Sequence, residues 1–162
     1  MSDTITSTRL RHVLGTTFPG LDVLMLEELE RLYMVHAEVT EPPLRCTHCN
    51  CTHFVKFGSR EESIKDLPRN GKHVMILLHR RRYRCRSCSM TFLEPVPQKH
   101  KKRRMTNRLV QYIELESLSK PFTSVADDVG VDEKTVRNIF HDPERWIDTV
   151  EYLCPKNRLN SH

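Results

Sequence analysis

Hydrophobic and polar residues alternate along the middle of the chain in the way that β-strands require. Three runs within residues 46–88 show this period: HFVKFGS, SIKDLP and KHVMILLHRRRYRC. The dipeptide Asn70-Gly71 stands just before the last run, and both residues tolerate positive φ, which indicates a hairpin turn. The last run is apolar on both faces at its start and basic at its end. One of these faces carries Val74, Ile76 and Leu78.

From residue 105 onward the apolar positions repeat with the period of an α-helix. The run MTNRLVQYIELESL predicts an amphipathic helix of about a dozen residues. Its apolar side is expected to carry Leu109, Ile113 and Leu118, with Val110 and Tyr112 nearby. The predicted fold class is therefore α+β, with a β-rich N-terminal region followed by a small all-α domain.

Residues 21–40, LDVLMLEELERLYMVHAEVT, fit two patterns. The first half places its apolar residues in a helical stripe and has the propensity of a helix, whereas the second half alternates from Tyr33 to Val39 as a strand would. The two prolines of EPPL, residues 41–44, end any regular element because they remove hydrogen-bond donors. The pattern alone leaves helix and strand both open for this stretch.

The net charge of +5 hides an uneven distribution. Eleven Lys and Arg face only Glu94 within residues 72–104, whereas three face seven acidic residues in residues 1–41 and seven face ten in residues 105–162. Such a basic block repels itself unless a polyanion binds it, and nucleic acid is the usual polyanion. A solvated linker is the alternative for the run KKRR alone, but the basic strand HRRRYRCR upstream favours nucleic acid.

The length of 162 residues allows one or two small domains, and the 38% of hydrophobic residues allows modest cores rather than one large enzyme core. The N-terminus lacks the basic start and apolar run of a signal peptide, and the longest aliphatic stretch, VMILL, is too short to span a bilayer. We therefore expect a soluble cytoplasmic protein without membrane contact. In that reducing compartment the six cysteines indicate metal or redox chemistry rather than disulfides.

Two C-x-x-C pairs are the strongest chemical signal in the sequence. Cys46 and Cys49 form the first pair, and 35 residues of predicted strand and hairpin separate it from the second, Cys85 and Cys88. Each C-x-x-C turn can aim two thiolates at one point, and two such turns give the closed tetrahedral set of a structural zinc. This spacing predicts a zinc ribbon with one Zn²⁺ per chain. Free buried cysteines are one alternative, and a thioredoxin-type redox site, which needs one such motif opening a helix, is another.

The other cysteines and the nearby histidines are expected to stay outside the metal site. Cys51 lies just beyond the first knuckle, where it would compete with Cys49 rather than extend the set, and we keep it as a substitute ligand. His48, His53 and Cys154 are expected to be surface or packing residues. Because four thiolates leave no open position for water, the metal should hold a fold and perform no chemistry.

Residues 122–141 carry the spacing of a helix-turn-helix. Ala126 is small enough for two helices to approach closely, and Gly130 occupies the turn. Thr123 is the expected N-cap of the first helix and Asp132 that of the second. The apolar residues that seat the second helix are Val131, Val136 and Ile139. The alternative is an ordinary pair of core helices.

The second helix of this motif is expected to span residues 133–141, to bury Val136, Ile139 and Phe140, and to read bases. Arg can donate two hydrogen bonds to guanine and Asn can pair with adenine, so Arg137 and Asn138 are the expected base contacts. The same free face presents His141. Phosphate contacts are expected near the helix N-termini, at Lys134, Thr135 and Thr123.

The run KKRR precedes the first helix as an arm precedes a homeodomain, a position from which Arg can enter a minor groove. Its members, all expected to contact DNA, are Lys101, Lys102, Arg103 and Arg104. Asp127 and Asp128 are discordant with this interpretation, because carboxylates repel phosphates. They should therefore face away from the DNA.

With these motifs in this order, the chain resembles the N-terminal half of the insertion-sequence transposases of the ISL-three family. The likeness rests on CTHC at 46–49, on IKDLPRNGKHVMILLHRRRYRCRSCSMTF at 64–92 and on MTNRLVQYIELESLSKPFTSVADDVGVDEKTVRNIF at 105–140. It implies that the zinc-binding and helix-turn-helix regions recognise the terminal inverted repeats of the element, and that a catalytic domain of RNase H type follows. It also implies two strands, LDVLMLEEL and RLYMVHAEV, which we adopt over the helix.

The resemblance covers roughly residues 20–141, and the 21 residues after it are too few for a domain of that kind. Asp142, Asp148 and Glu151 have the spacing of a solvated helix face rather than of an acidic site. We therefore expect the DNA-binding part of a transposase without its catalytic domain, and no enzyme. A stand-alone zinc-containing transcriptional regulator is the alternative.

The expected organisation has five parts: a flexible N-terminus (1–20), a β-rich zinc ribbon (21–98), a basic linker (99–104), a helix-turn-helix domain (105–142) and a C-terminal tail (143–162). The expected partner is double-stranded DNA in a bacterial cytoplasm, at the nucleoid. A catalytic transposase chain or a second copy of this chain are further expected partners.

Overall fold

The computed structural model describes residues 20–144. Most of the expected flexible N-terminus and most of the expected tail, with Asp148, Glu151 and Cys154, lie outside the described residues. The described part divides into two compact units, the first ending at Asn107 and the second beginning at Arg108.

The first unit is a five-stranded sheet. Its strands are β1 (Leu21–Glu28), β2 (Leu32–Val39), β3 (Phe54–Arg69), β4 (Lys72–Cys85) and β5 (Thr91–Leu93). The strand order is β1-β2-β4-β3, with the short β5 also paired to β4. All pairings are antiparallel except that of β2 with β4, which is parallel. The two strands expected ahead of the first zinc knuckle are confirmed, and a helix in that stretch is excluded.

The turn between β3 and β4 is the predicted hairpin. Asn70 and Gly71 adopt φ values of 51° and 73°, so both occupy the left-handed region that this dipeptide tolerates. β3 is one strand of 16 residues where the sequence pattern indicated two separate runs. Its register shifts between Lys56 and Ser59, where Gly58 has a φ of 91°. This bulge interrupts the alternation without ending the strand.

Two small hydrophobic cores lie along β4. In its first half the even-numbered residues are buried, from Val74 to Leu78, and they pack with the buried residues of β2 and with Ile64. In its last part the buried positions change to odd numbers, Tyr83 and Cys85. Because neighbouring residues of a strand point to opposite faces, β4 serves a sheet core at one end and a knuckle core at the other.

The segment after β5 is bonded back to the sheet. Glu94 is fully buried and accepts hydrogen bonds from the backbone and guanidinium of Arg81 at 2.8 and 3.0 Å. The backbone N–H of Lys65 donates to the carbonyl of Arg104 at 3.0 Å, and the hydroxyl of Thr106 donates to the buried carboxylate of Asp66 at 2.6 Å. The basic run 101–104 is therefore part of a loop whose C-terminal end is held on β3.

The second unit contains three helices, α1 (Asn107–Glu116), α2 (Phe122–Val129) and α3 (Glu133–Phe140). α1 buries Leu109, Val110 and Ile113, as its period predicts. Leu118 was expected on the same side, but it is exposed because the helix ends at Glu116. The predicted α+β class, a β-rich zinc ribbon followed by a small helical domain, is confirmed. None of the helices within residues 20–144 has the length and apolar character that crossing a membrane requires.

Candidate metal centre and nucleic-acid interface

The two C-x-x-C knuckles have the same backbone geometry. In the first, the N–H of Asn50 donates to the carbonyl of Cys46, and in the second the N–H of Ser89 donates to the carbonyl of Cys85, at 3.0 and 3.1 Å. Asn50 and Ser89 both have positive φ, 65° and 63°, which closes each turn around its sulfur atoms. The pairing of Phe54 with Cys85 brings the start of β3, and with it the first knuckle, beside the end of β4.

The four knuckle sulfurs form one cluster. The Sγ atoms of Cys46, Cys49, Cys85 and Cys88 all lie within 4.8 Å of one another. The separations are 3.8 Å between Cys46 and Cys88 and 3.5 Å between Cys49 and Cys85. Tetrahedral zinc with Zn–S bonds of about 2.3 Å places its sulfurs roughly 3.8 Å apart. The cluster therefore fits one structural Zn²⁺.

The close approach of these thiols shifts the pKa values of Cys46 and Cys49 in opposite directions. The pKa of Cys46 is lowered to about 6: burial alone would raise it, but the backbone N–H groups of Cys49 and His48 outweigh burial. The pKa of Cys49 is raised to about 12, because the backbone N–H of Cys51, which lowers it, is outweighed by the thiol of Cys85 and by burial. Thiols this close cannot all ionise together without a cation between them.

The remaining thiol and histidines stand apart from the cluster. The Sγ of Cys51 lies 3.0 Å from the hydroxyl of Ser87 instead, and that contact lowers its pKa. The ring of His48 lies beside the carbonyl of Thr91, with Nε2 at 3.3 Å, and His53 is exposed. Within residues 20–144, the four knuckle cysteines are the only group of three or more potential metal-ligating side chains this close together.

The turn of the helix-turn-helix lies at the predicted glycine. Gly130 has a φ of 72°, and its N–H and that of Val131 both donate to the carbonyl of Ala126, at 2.9 and 3.1 Å. Asp132 caps α3, since its carboxylate accepts a hydrogen bond from the N–H of Thr135 at 2.6 Å. The glycine in the turn and the aspartate cap were both predicted from the sequence, and the structure adds the left-handed conformation of the glycine.

The cap predicted for α2 is wrong. Thr123 lies inside the helix, which begins at Phe122 with Pro121 in the cap position and no side-chain cap. Proline fixes φ near the value a helix entry needs, so the chain can turn into the helix one residue earlier than the threonine signal indicated.

α3 buries Val136 and Ile139, whereas Phe140, also expected to be buried, is half-buried against the ring of Phe122, 5.2 Å away between centroids. The opposite side of α3 is open. The exposed residues there, all among those predicted to contact DNA, are Lys134, Arg137, Asn138 and His141. Thr135 is half-buried at the first turn, and Thr123 is exposed on α2.

Ion pairs occupy several charges of the second unit. Arg137 is paired with Glu133, one turn earlier on α3. Asp128, one of the two discordant carboxylates, lies 3.5 Å from Lys120, whose pKa is raised chiefly by its hydrogen bond to Glu116 at 2.6 Å. The lysine partly offsets the negative charge of α2.

The predicted basic arm belongs to the loop on β3. Lys101, Lys102 and Arg104 are exposed and Arg103 is half-buried. The N–H of Lys102 donates to Nδ1 of the buried His100 at 3.2 Å. Four basic side chains thus sit on a loop with a defined backbone in the first unit, while the residues of α3 belong to the second.

The arginines at the basic end of β4 fall into two classes, which the sequence pattern could not distinguish. Arg80 and Arg81 are neutralised, by Glu62 at 2.7 Å and by Glu94 at 3.0 Å. The arginines beyond them, Arg82, Arg84 and Arg86, have no carboxylate partner within residues 20–144.

Two family models match the chain. Residues 42–88 match the zinc-finger of transposase IS204/IS1001/IS1096/IS1165, and residues 94–142 match the helix-turn-helix domain of transposase family ISL3. No curated protein and no solved structure matches it. The two matched segments coincide with the two knuckles and with the three helices.

Proposed function

Since the chain carries the zinc ribbon and the helix-turn-helix of ISL3-family transposases, in that order, we propose that it is the DNA-recognition part of such a transposase. Its site is the terminal inverted repeat of the mobile element. The observation that carries this proposal is the exposed polar side of α3 above a buried apolar side, on a helix fixed by a left-handed glycine turn and an aspartate cap.

α3 enters the major groove and reads bases there. Arg137 donates two hydrogen bonds to a guanine, and Asn138 pairs with an adenine, because these side chains match the edges of those bases. Lys134, Thr135 and His141 flank them, and Thr123 lies on α2. Lys134, Thr135 and Thr123 hold phosphates, which fix the register of the helix on the duplex.

The basic loop supplies affinity rather than specificity. Lys101, Lys102, Arg103 and Arg104 neutralise phosphates, which releases counterions and strengthens binding to any sequence. One Zn²⁺ on Cys46, Cys49, Cys85 and Cys88 ties β4 to the loop before β3. With four thiolates it has no open position for a substrate, so its contribution is to the fold.

DNA cleavage and joining belong to another polypeptide or domain. These reactions need carboxylates that place divalent cations on the scissile phosphate, supported by a rigid surround. Within residues 20–144 the one close group of metal-ligating side chains is the thiolate cluster, which suits zinc. The proposed partners are a catalytic transposase chain, which supplies these reactions, and a second copy of this chain, which does not. Both act in the cytoplasm, at the nucleoid.

A gel-shift assay tests the proposal. A labelled duplex with the element's inverted repeat should be retarded, with or without Mg²⁺, at concentrations where a shuffled duplex of equal composition stays free. The retarded duplex should remain unnicked after incubation with Mg²⁺ or Mn²⁺. Equal retention of both duplexes would refute sequence-specific recognition. Preference for a promoter unrelated to any mobile element would favour a transcriptional regulator instead.

A further inference from the structure

A groove at the edge of the sheet combines exposed apolar side chains with basic ones. Its volume is about 380 Å³, and its lining consists of Val55, Phe57, Arg84, Cys85, Arg86 and Ser89. Phe57 is 48% exposed, so its ring is accessible to a ligand. This groove lies on the opposite side of β3 from Phe54, which packs into that core.

A β-bulge lies beside Phe57. β3 is the edge strand, and its register with β4 shifts between Lys56 and Ser59, around the left-handed Gly58. Bulges at sheet edges re-aim side chains and are common beside binding sites. The guanidinium of Arg84 lies over the ring of Phe57, 5.7 Å from its centroid. One face of the ring is therefore in contact with a cation.

Basic residues predominate in the two segments that line the groove. Residues 42–60 and 80–93 contain eight Lys and Arg and no Asp or Glu. Two of the eight, Arg80 and Arg81, are neutralised by Glu62 and Glu94. The other six have no carboxylate partner among the described residues: Arg45, Lys56, Arg60, Arg82, Arg84 and Arg86. By contrast, residues 108–144 contain four Lys and Arg and eight Asp and Glu.

We propose that this groove holds an unpaired nucleotide of the bound DNA, with its base stacked on Phe57 and its phosphate at Arg84 and Arg86. An aromatic ring beside cations is the arrangement that binds single strands, because every base has a π-face and every linkage a charge. Bases inside a duplex offer only their edges, so a paired base cannot use the ring. The occupant is therefore a frayed or single-stranded DNA end.

This inference rests on the proposed function. Fluorescence anisotropy with two labelled duplexes distinguishes failure of the inference from failure of the proposed function. One duplex is blunt and carries the repeat, and the other is identical except for a tail of unpaired thymidines. The wild-type chain should bind the tailed duplex more tightly. Phe57→Ala should remove about tenfold in affinity from the tailed duplex and leave the blunt one unchanged. Phe57→Tyr should keep the gain.

Leu29→Ala is the matched control, because Leu29 is 49% exposed in the same unit but lies outside the groove. It should change neither affinity. For the tailed duplex, Arg84→Gln should flatten the plot of log K against log salt. The slope should fall by about 0.7 for each phosphate that is no longer neutralised. Arg31 is an exposed arginine between β1 and β2, and Arg31→Gln should leave this slope unchanged. One zinc per chain in each variant shows that the ribbon is intact.

Equal affinity of the wild-type chain for both duplexes would overturn the inference, as would an equal loss on both in Phe57→Ala. Either result leaves the proposed function standing. If Phe57→Ala instead dissociates a dimer in sedimentation, the occupant is a second copy of the chain and the inference is wrong. If neither duplex binds, the proposed function and this inference fail together.

Discussion

Arg137 and Glu133 form an ion pair across one turn of α3. The side chain proposed to read a guanine is therefore already held by a carboxylate of its own helix. Both partners are substantially exposed, at 56% and 40% of their side chains, and exposed pairs of this spacing are worth only about 0.3–0.5 kcal/mol. A DNA phosphate or base can therefore replace the carboxylate at little cost.

Replacing Arg137 by alanine should reduce the preference for the cognate repeat over the shuffled duplex by about 1–3 kcal/mol, the contribution of one bidentate base contact. Competition binding of the two duplexes measures this difference. Glu133→Gln is the control for the neighbouring helix surface, since it removes the ion pair but keeps the reader. It should retain discrimination and bind both duplexes somewhat more tightly. Equal loss on both duplexes in Arg137→Ala would move that residue from the bases to the backbone.

The cysteine cluster predicts a sharp contrast between two single substitutions. Cys85→Ser removes one of the four clustered sulfurs and should abolish the stoichiometric zinc that native mass spectrometry detects in the wild-type chain. Because zinc binding contributes folding energy, the variant should also lose the thermal transition of the ribbon. Cys51→Ser changes a thiol that contacts Ser87 instead, and it should keep both. Zinc retained by Cys85→Ser would contradict the four-sulfur site.

The caps of the helix-turn-helix make a second matched pair. Asp132→Ala should destabilise the helical unit by about 1 kcal/mol, because the N–H of Thr135 loses its acceptor at the start of α3. Thr123→Ala, at the position where the sequence signal placed a cap, should have a much smaller effect because Thr123 caps nothing. Urea unfolding followed by circular dichroism measures both. A larger loss for Thr123→Ala than for Asp132→Ala would mean that α2 begins at a different residue.

Local signals explain why much of the site could be predicted from the sequence. Each knuckle is a four-residue turn, and Gly130 and Asp132 lie two residues apart, so spacing alone indicates the cluster and the helix-turn-helix. The end of α1 before Leu118 and the start of α2 at Phe122 were missed. Helix boundaries depend on which of several candidate residues ends or caps the helix. Here Pro121, and not Thr123, occupies the cap position.

Non-local pairing explains what was missed. The parallel partner of Val35 is Ile76, 41 positions later, and alternation reveals that each belongs to a strand but not that they are neighbours. The contact of Arg84 with Phe57 also depends on the pairing of β3 with β4, which the sequence pattern does not reveal. Likewise, only the three-dimensional arrangement shows which arginines of β4 meet a carboxylate.

The loop on β3 gives a prediction about salt. Replacing exposed basic residues of this loop should weaken binding to cognate and shuffled duplexes equally, and the plot of log K against log salt should flatten by about 0.9 for each phosphate that is no longer neutralised. Lys101→Gln with Arg104→Gln is the variant to measure, by anisotropy across a salt series. The fold should tolerate it, because the loop is attached through the backbone carbonyl of Arg104 and the N–H of Lys65, which the substitutions preserve. An unchanged slope would mean that these side chains do not meet phosphates. Loss on the cognate duplex alone would mean that the loop reads sequence, as an arm in a minor groove does.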